Sequence, residues 1–294
     1  MTSPSPSVVV FGSLHYDIMV QGPARPRKGE TVTGDSWHPK CGGKGGNQAV
    51  SAAKTGIRSV MVGAVANDDF GHALTENLAR NNVDHRFVKT VSGVGSGMSV
   101  AIFDSEGDYG AVIVSGSNLT LGEPDVDAAS EAFAEGAVLL LQNEVPDHAN
   151  VAAAKAMKSV GGSVILNAAP ARSLSPELEG LVDVLVVNAI EAEQLAALTV
   201  VDTLTGAEEA AKLLAARFPT VVVTAGGEGV ACATAPGEAF SMEAIEVELV
   251  STHGAGDEFT GVLAAELARA RDIRSALDAA NRAAAVLVST PRAG

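Results

Sequence analysis

The feature that most constrains this chain is a repeated alternation of short apolar runs, rich in valine, leucine and isoleucine, with longer alanine-rich amphipathic ones. It begins with "SVVVFGSL" at 7–14, "NQAVSAAKTG" at 47–56, "SVMVGAV" at 59–65 and "FGHALTENLARNN" at 70–82. It returns in "AVLLLQNE" (137–144), "VAAAKAMKSVGG" (151–162), "SVILNAAP" (163–170), "VDVLVVN" (182–188) and "TVVVTAGG" (220–227). Apolar runs without polar alternation suit strands covered on both faces, and strands separated by helices run parallel. The expectation is a three-layer α/β/α arrangement around a mostly parallel central sheet.

Two stretches break this rhythm. "GETVTGDSWHPK" (29–40) and "GMSVAIFDSEGDYGAVIVSGSN" (97–118) alternate with a period of two, and "SEGD" in the second reads as a hairpin turn. Neither fits a helix-covered sheet. They are expected to pair as a small antiparallel β lid over one edge of the main body, with lid strands within about 14–40 and 97–118 of a single domain spanning 1–294.

The chain has 294 residues, 47% of them hydrophobic, and only two cysteines, Cys41 and Cys232, so a buried core rather than disulfides is expected to hold it. The opening "MTSPSPS" lacks the charged and apolar segments of an export signal, and no apolar run reaches the length of a membrane span, so a cytoplasmic chain without a membrane partner is expected. Thirty-five acids against 20 bases give a formal charge of -15, which repels a nucleic-acid backbone, and no basic run offsets it. A phosphorylated small ligand would need local devices: helix N-termini, single lysines, a metal ion.

Two glycine clusters supply such devices. In "VSTHGAGDEFTG" (250–261), Phe259, Val262, Leu263 and Leu267 fall at helical spacing, so Asp257 stands at a helix start. The N–H groups of Gly254, Ala255 and Gly256 would be unpaired and unobstructed there, an anion hole with a carboxylate at its edge. Such a carboxylate could take the proton of a hydroxyl attacking a phosphoryl group; an aspartate capping a helix after a glycine turn fits the same letters. In "CGGKGGNQAV" (41–50), four glycines surround Lys44, and Asn47 follows at the next helix start. Gly45 stands where a Walker A loop needs Ser or Thr, and the first strand leads into no G-x-G-x-x-G, so those nucleotide folds are disfavoured.

"GGKGGNQA" and "GAGDEFTG", in this order and about 210 residues apart, resemble the two signatures of the ribokinase-like (PfkB) family of carbohydrate and nucleoside kinases. "GSLHYDIMV" resembles the family's first strand with its sugar-binding aspartate, here Asp17, and "GETVTG" its lid strand. "LLQNEVP", "VVNAIEAE", "VVTAGGEGV" and "NAAPAR" continue the likeness over essentially the whole chain, nearest to the ribokinase branch. The resemblance implies transfer of the ATP γ-phosphoryl group to a sugar hydroxymethyl, with Asp257 as catalytic base and Gly254, Ala255 and Gly256 as the anion hole. It implies that His15, Asp17, Gly43, Lys44, Asn47 and Glu144 hold the sugar. Asn188 and Glu191 would position Mg²⁺, although N-x-x-E after a strand is also a helix capping box. Thr224, Gly226, Gly227, Gly229, Gly254 and Gly256 would lie by the nucleotide, with Asn281 the choice for adenine; "AGGEG" also fits a plain turn.

Two departures bear on specificity. Ser251 stands where the family commonly has an aspartate beside a monovalent cation, which puts potassium activation in question, and His15 replaces an asparagine facing the sugar. A nucleoside or another pentose or ketose is therefore an alternative acceptor, and a non-catalytic sugar-binding protein on the same scaffold an alternative of another class. The apolar lid residues Trp37, Met98, Val100 and Ile102 imply a lid-to-lid homodimer.

Overall fold

A computed structural model of the chain describes residues 6–105, 109–198, 200–235 and 237–290. In chain order the strands are β1 (Ser7–Phe11), β2 (His15–Gln21), β3 (Ser36–Gly42), β4 (Arg58–Ala66), β5 (Asp84–Val91), β6 (Met98–Phe103), β7 (Tyr109–Val114), β8 (Val138–Gln142), β9 (Ser163–Asn167), β10 (Val184–Asn188), β11 (Thr220–Thr224), β12 (Gly229–Thr234) and β13 (Glu238–Glu243). The helices are α1 (Lys44–Lys54), α2 (Asp69–Arg80), α3 (Glu123–Ala128), α4 (Ser130–Glu135), α5 (Asp147–Ser159), α6 (Pro176–Glu179), α7 (Ala189–Ala196), α8 (Leu204–Leu214), α9 (Ala255–Ala268) and α10 (Ile273–Ser289).

Nine strands form the large sheet in the order β13-β12-β11-β10-β9-β8-β1-β4-β5. All neighbours from β11 to β5 run parallel, and β12 and β13 extend one edge antiparallel. Side chains alternate between two cores, as the pleat requires. Val9, Phe11, Leu139, Leu141 and Leu166 face a layer that includes Met157 of α5 and Leu214 of α8. Val8, Val10, Leu140 and Ile165 face Ala49 and Ala52 of α1, Leu74 of α2, Leu263 of α9 and Leu277 of α10. Each such valine or leucine contributes about 1.5–3 kcal/mol on full burial, and that surplus lets the carboxyl ends of the strands carry buried polar groups.

The small sheet has the order β3-β2-β6-β7. β2 pairs β3, and β6 pairs β7, antiparallel; β2 and β6 are parallel, so the lid is only mostly antiparallel. The reason is topological: β2 follows β1 and β6 follows β5, so both excursions leave the carboxyl ends of parallel strands in the same sense. The expected strand at 29–40 is shorter, since residues 29–35 carry no strand, Glu30 N–H closes a turn on the Arg27 carbonyl, and pairing begins at Ser36. Asp17 lies on β2 of the small sheet rather than on the first strand. The expected "SEGD" turn falls between the paired β6 and β7, with residues 106–108 outside the described residues.

Asp17 opposes Lys40 on one side and Ser99 on the other, which sets these three on one face of the small sheet. Ile18 aligns with Pro39 and Val100, and Val20 with Trp37 and Ile102, on the other face. Only Gly12, Ser13 and Leu14 join β1 to β2.

Candidate active site

The carboxyl ends of β8, β9, β10 and β11 converge with the N-termini of α1, α7 and α9. Between them lies a cavity of about 200 Å³ lined by Lys44, Asn188, Glu191, Thr224, Gly254, Gly256 and Asp257, together with Asn167, Ala169, Val186, Val187 and Thr260. Gly43 brings α1 to this position. Its φ is +83°, and a β-carbon there would come within 2.6 Å of the His15 backbone nitrogen, so only glycine fits between β3 and α1.

Asp257 is not the helix cap. Gly254 is the N-cap of α9, in the left-handed region at φ 82°, and Asp257 stands three residues on, in the first turn. Its Oδ2 accepts from Asn47 Nδ2 at 2.9 Å and its Oδ1 from Gln48 Nε2 at 3.0 Å. Burial raises the carboxyl above its ordinary value, opposed first by the Lys44 ammonium and then by the two amide hydrogen bonds. Of the three expected anion donors, Ala255 N–H is engaged by the Thr252 carbonyl at 3.2 Å. The N–H groups of Gly254 and Gly256 have no intramolecular partner among the described residues.

A second polar group adjoins the first through Lys44. Glu144 Oε2 accepts from the Lys44 backbone N–H at 3.0 Å and from the Ser13 hydroxyl, and lies 3.6 Å from His15 Nδ1. His15 is 3% exposed, and its Nε2 has no partner among the described residues. Asp17 Oδ1 accepts from the Ser99 hydroxyl at 2.5 Å. Burial raises the Asp17 carboxyl, against the lowering effect of Ser99. Gly42 admits this carboxylate, since a β-carbon there would collide with Asp17 Oδ2.

Asn188 and Glu191 form the capping box of α7: Asn188 Oδ1 accepts from Glu191 N–H, and Glu191 Oε2 from Asn188 N–H, both at 2.8 Å. Glu191 is also pushed up, by burial first, with Asn188 N–H and Lys44 lowering it and Asp257 raising it. Among the described residues no three His, Cys, Asp or Glu side chains are gathered as a metal cluster.

Thr224 ends β11 and is followed by a 3-10 turn over Gly226–Glu228, where a β-carbon on Gly226 or Gly227 would meet nothing within 4 Å. Gly229 instead packs against the Met242 backbone with φ 126°, a structural requirement of the β12–β13 pairing. Asn281 is not part of the cavity lining; its Nδ2 donates to the Glu243 carbonyl at 2.9 Å and ties α10 to the end of β13. The Ser251 hydroxyl accepts from His253 N–H at 3.3 Å. Gln48, Asn167, Ser13 and Ser99 are the site neighbours that sequence reasoning passed over; the letters after "GGN" and in "NAAP" were the available signals.

Residues 5–294 match the pfkB family of carbohydrate kinases. The chain is 36% identical to ribokinase from Bacillus subtilis over 284 residues, covering 96% of this chain and 92% of the relative. It is 31% identical to ribokinase from Haemophilus influenzae over 283 residues, with the same coverage of 96% and 92%. A solved structure of ribokinase from Arabidopsis thaliana with ribose and ATP superposes with a TM-score of 0.91 at 30% identity, covering 98% of this chain and 94% of that one. With its two-sheet architecture, its carboxylate at the head of α9 and this match over nearly its whole length, the chain belongs to the pfkB family of carbohydrate kinases.

Proposed function

We propose that this protein is an ATP-dependent ribokinase, transferring the γ-phosphoryl group of MgATP to the hydroxymethyl oxygen of D-ribose to give ribose 5-phosphate. The observation that carries the reading is the Asp257 carboxylate, held by Asn47 and Gln48 beside the N–H groups of Gly254 and Gly256, which have no partner among the described residues. Asp257 takes the hydroxyl proton as the ribose oxygen forms its bond to the γ-phosphorus and the bond to the ADP oxygen breaks. The N–H groups and the positive end of α9 face the charge on the transferred group.

Asp17, Glu144, Asn47, Lys44 and His15 provide paired donors and acceptors for the sugar hydroxyls, and Gly43 lets the backbone approach. Thr224, Gly226 and Gly227 serve the nucleotide, with Gly229 closing the turn that presents them, and Asn281 offers adenine the Oδ1 that its bond to Glu243 leaves over. Asp257 disfavours the charge of Glu191 and Glu144 that of Asp257, and the Lys44 ammonium moderates both; a hard dication fits this oxygen-rich surrounding. Asn188 and Glu191 would hold magnesium largely through its waters, and the ion would supply charge neutralisation on the phosphates.

Ser251 brings no carboxylate to the neighbouring loop, so strong potassium dependence is not part of the proposal. The outer face of the small sheet, with Trp37 67% and Val112 69% exposed, supports a lid-to-lid homodimer. No helix among the described residues is long and apolar enough to cross a membrane, and a cytoplasmic location accords with the reading.

The buried Nε2 of His15, without a partner among the described residues, favours a second reading in which the acceptor is another pentose, a ketose or a nucleoside. ADP release from MgATP, measured over ribose, other pentoses, ketohexoses and adenosine with and without potassium, separates the two. The expected result is selective turnover of ribose. A clear preference for adenosine would replace the acceptor, and no turnover by folded, sugar-binding protein would leave a non-catalytic binder.

A further inference from the structure

Behind Asp257, amide side chains run in file through the interior: Asn167 of β9, Gln48 of α1, Gln142 of β8 and Asn150 of α5, each no more than 8% exposed. Gln48 Nε2 donates both to Asp257 Oδ1 and to Asn167 Oδ1 at 3.0 Å. Gln142 Nε2 donates to Gln48 Oε1 at 2.8 Å, and Asn150 Nδ2 to the Gln142 backbone carbonyl at 2.8 Å. Two acceptors of the file, Asn150 Oδ1 and Gln142 Oε1, are buried without a partner among the described residues, and the Gln142 oxygen is turned toward Gly12, where a β-carbon would collide with it.

The direction of this file follows from its first member. An ionised carboxylate only accepts, so Gln48 must turn its NH₂ toward Asp257, and its oxygen then needs a donor on the opposite side. Gln142 supplies that donor and is left with its own oxygen against bare backbone. A buried acceptor with no partner destabilises a fold. It is retained here in the one orientation that serves the carboxylate.

We propose that Gln48 is a positioning residue for Asp257, itself oriented by Gln142 through the space left at Gly12. The proposal rests on the reading of Asp257 as the base. Gln48 is fully buried and outside the cavity lining, so it acts on the carboxylate and not on the substrate. With Asn47 on the other oxygen, it fixes the plane of the carboxylate and favours its ionised form. The charged groups facing that carboxylate are Lys44 of α1, Glu144 after β8 and Glu191 of α7, and none of them is bonded to Gln48.

The test compares Gln48→Met, Gln142→Met and Asp257→Asn in single-turnover phosphoryl transfer across pH, with ribose and ATP as substrates. Loss of the Gln48 bond should slow transfer about 10- to 100-fold while leaving both KM values within about threefold. It should also move the acid limb of the rate profile to higher pH, because a donor to the ionised form is gone. Gln142→Met, which does not touch Asp257, should move rate and limb in the same direction by less, and stands as the readout if Gln48→Met does not fold. An unmoved limb in a folded variant, with or without a general loss of activity, would overturn the positioning role while leaving the base intact. Ordinary turnover by Asp257→Asn would instead remove the base, and the proposal with it.

Discussion

Asp257 and Asp17 are both carboxylates that burial pushes up, yet their supports differ. Asp257 is gripped on both oxygens by Asn47 and Gln48, from a helix packed between the large sheet and α9. Asp17 is gripped on one oxygen by Ser99, from a neighbouring strand of a four-stranded sheet whose other face exposes Trp37 and Val112. The comparison teaches a division of labour: the deeply packed sheet fixes the group that must be placed accurately in the transition state, and the thin sheet presents the groups that recognise the acceptor. Rate should therefore be sensitive to the first region and selectivity to the second.

The severest test of that division is Asp257→Asn, which should lower kcat for ADP release about 10²- to 10⁴-fold with little change in ribose affinity by calorimetry. Comparable loss of affinity would merge the two roles. Asp17→Asn should do the reverse, weakening ribose binding about 10- to 100-fold with a smaller effect on kcat. It should also melt higher than the parent at pH 7. The raised carboxyl is protonated preferentially in the folded state, so its ionisation lowers stability as pH rises from the unfolded value through the folded one, and the penalty persists above that window. The difference in melting temperature should close as pH falls below the unfolded value near 3.8; a variant that melts lower at pH 7 would show that the Asp17 charge is well compensated.

His15→Asn should shift the ratio of kcat/KM between ribose and adenosine by less than about tenfold, measured under the same assay. A larger shift in kcat alone would place His15 with the rate-determining region. The mildest change in activity belongs to Trp37→Asp, which should keep kcat within about twofold while lowering the mass seen by light scattering from dimer to monomer.

The large sheet was legible because "SVVVF", "VLLLQ", "SVILN" and "TVVVT" admit no solvent-facing side, and the order of the two glycine clusters announced the site. β12 and β13 were not legible: "GVACAT" and "EAFSME" mix small, polar and apolar residues, and their pairing depends on the β11 edge already being in place. The alternation in "GETVTG" promised a strand, but residues 29–35 have no neighbouring strand to pair with, and propensity alone does not make one. At the site, Asn188 and Glu191 fulfil the local capping pattern, and the same two side chains line the cavity, which the spacing alone does not reveal. Gln48 stayed hidden because its significance lies in bonds across 94, 119 and 209 positions of chain, and nothing in "GGNQAV" encodes that reach.

The small sheet is stitched from two separate excursions, β2 with β3 and β6 with β7, joined by the parallel pairing of β2 with β6 and by side-chain contacts such as Ser99 with Asp17 and Arg25 with Asp104. It is therefore not a cassette. Exchanging it between relatives would require splicing both excursions at once, at four points of attachment, and Gly12 to Leu14 would have to keep contact with Glu144 and Asn118 throughout. Changes of acceptor in such a lineage have to accumulate residue by residue within an inherited lid, which makes single positions such as 15 the natural units of divergence.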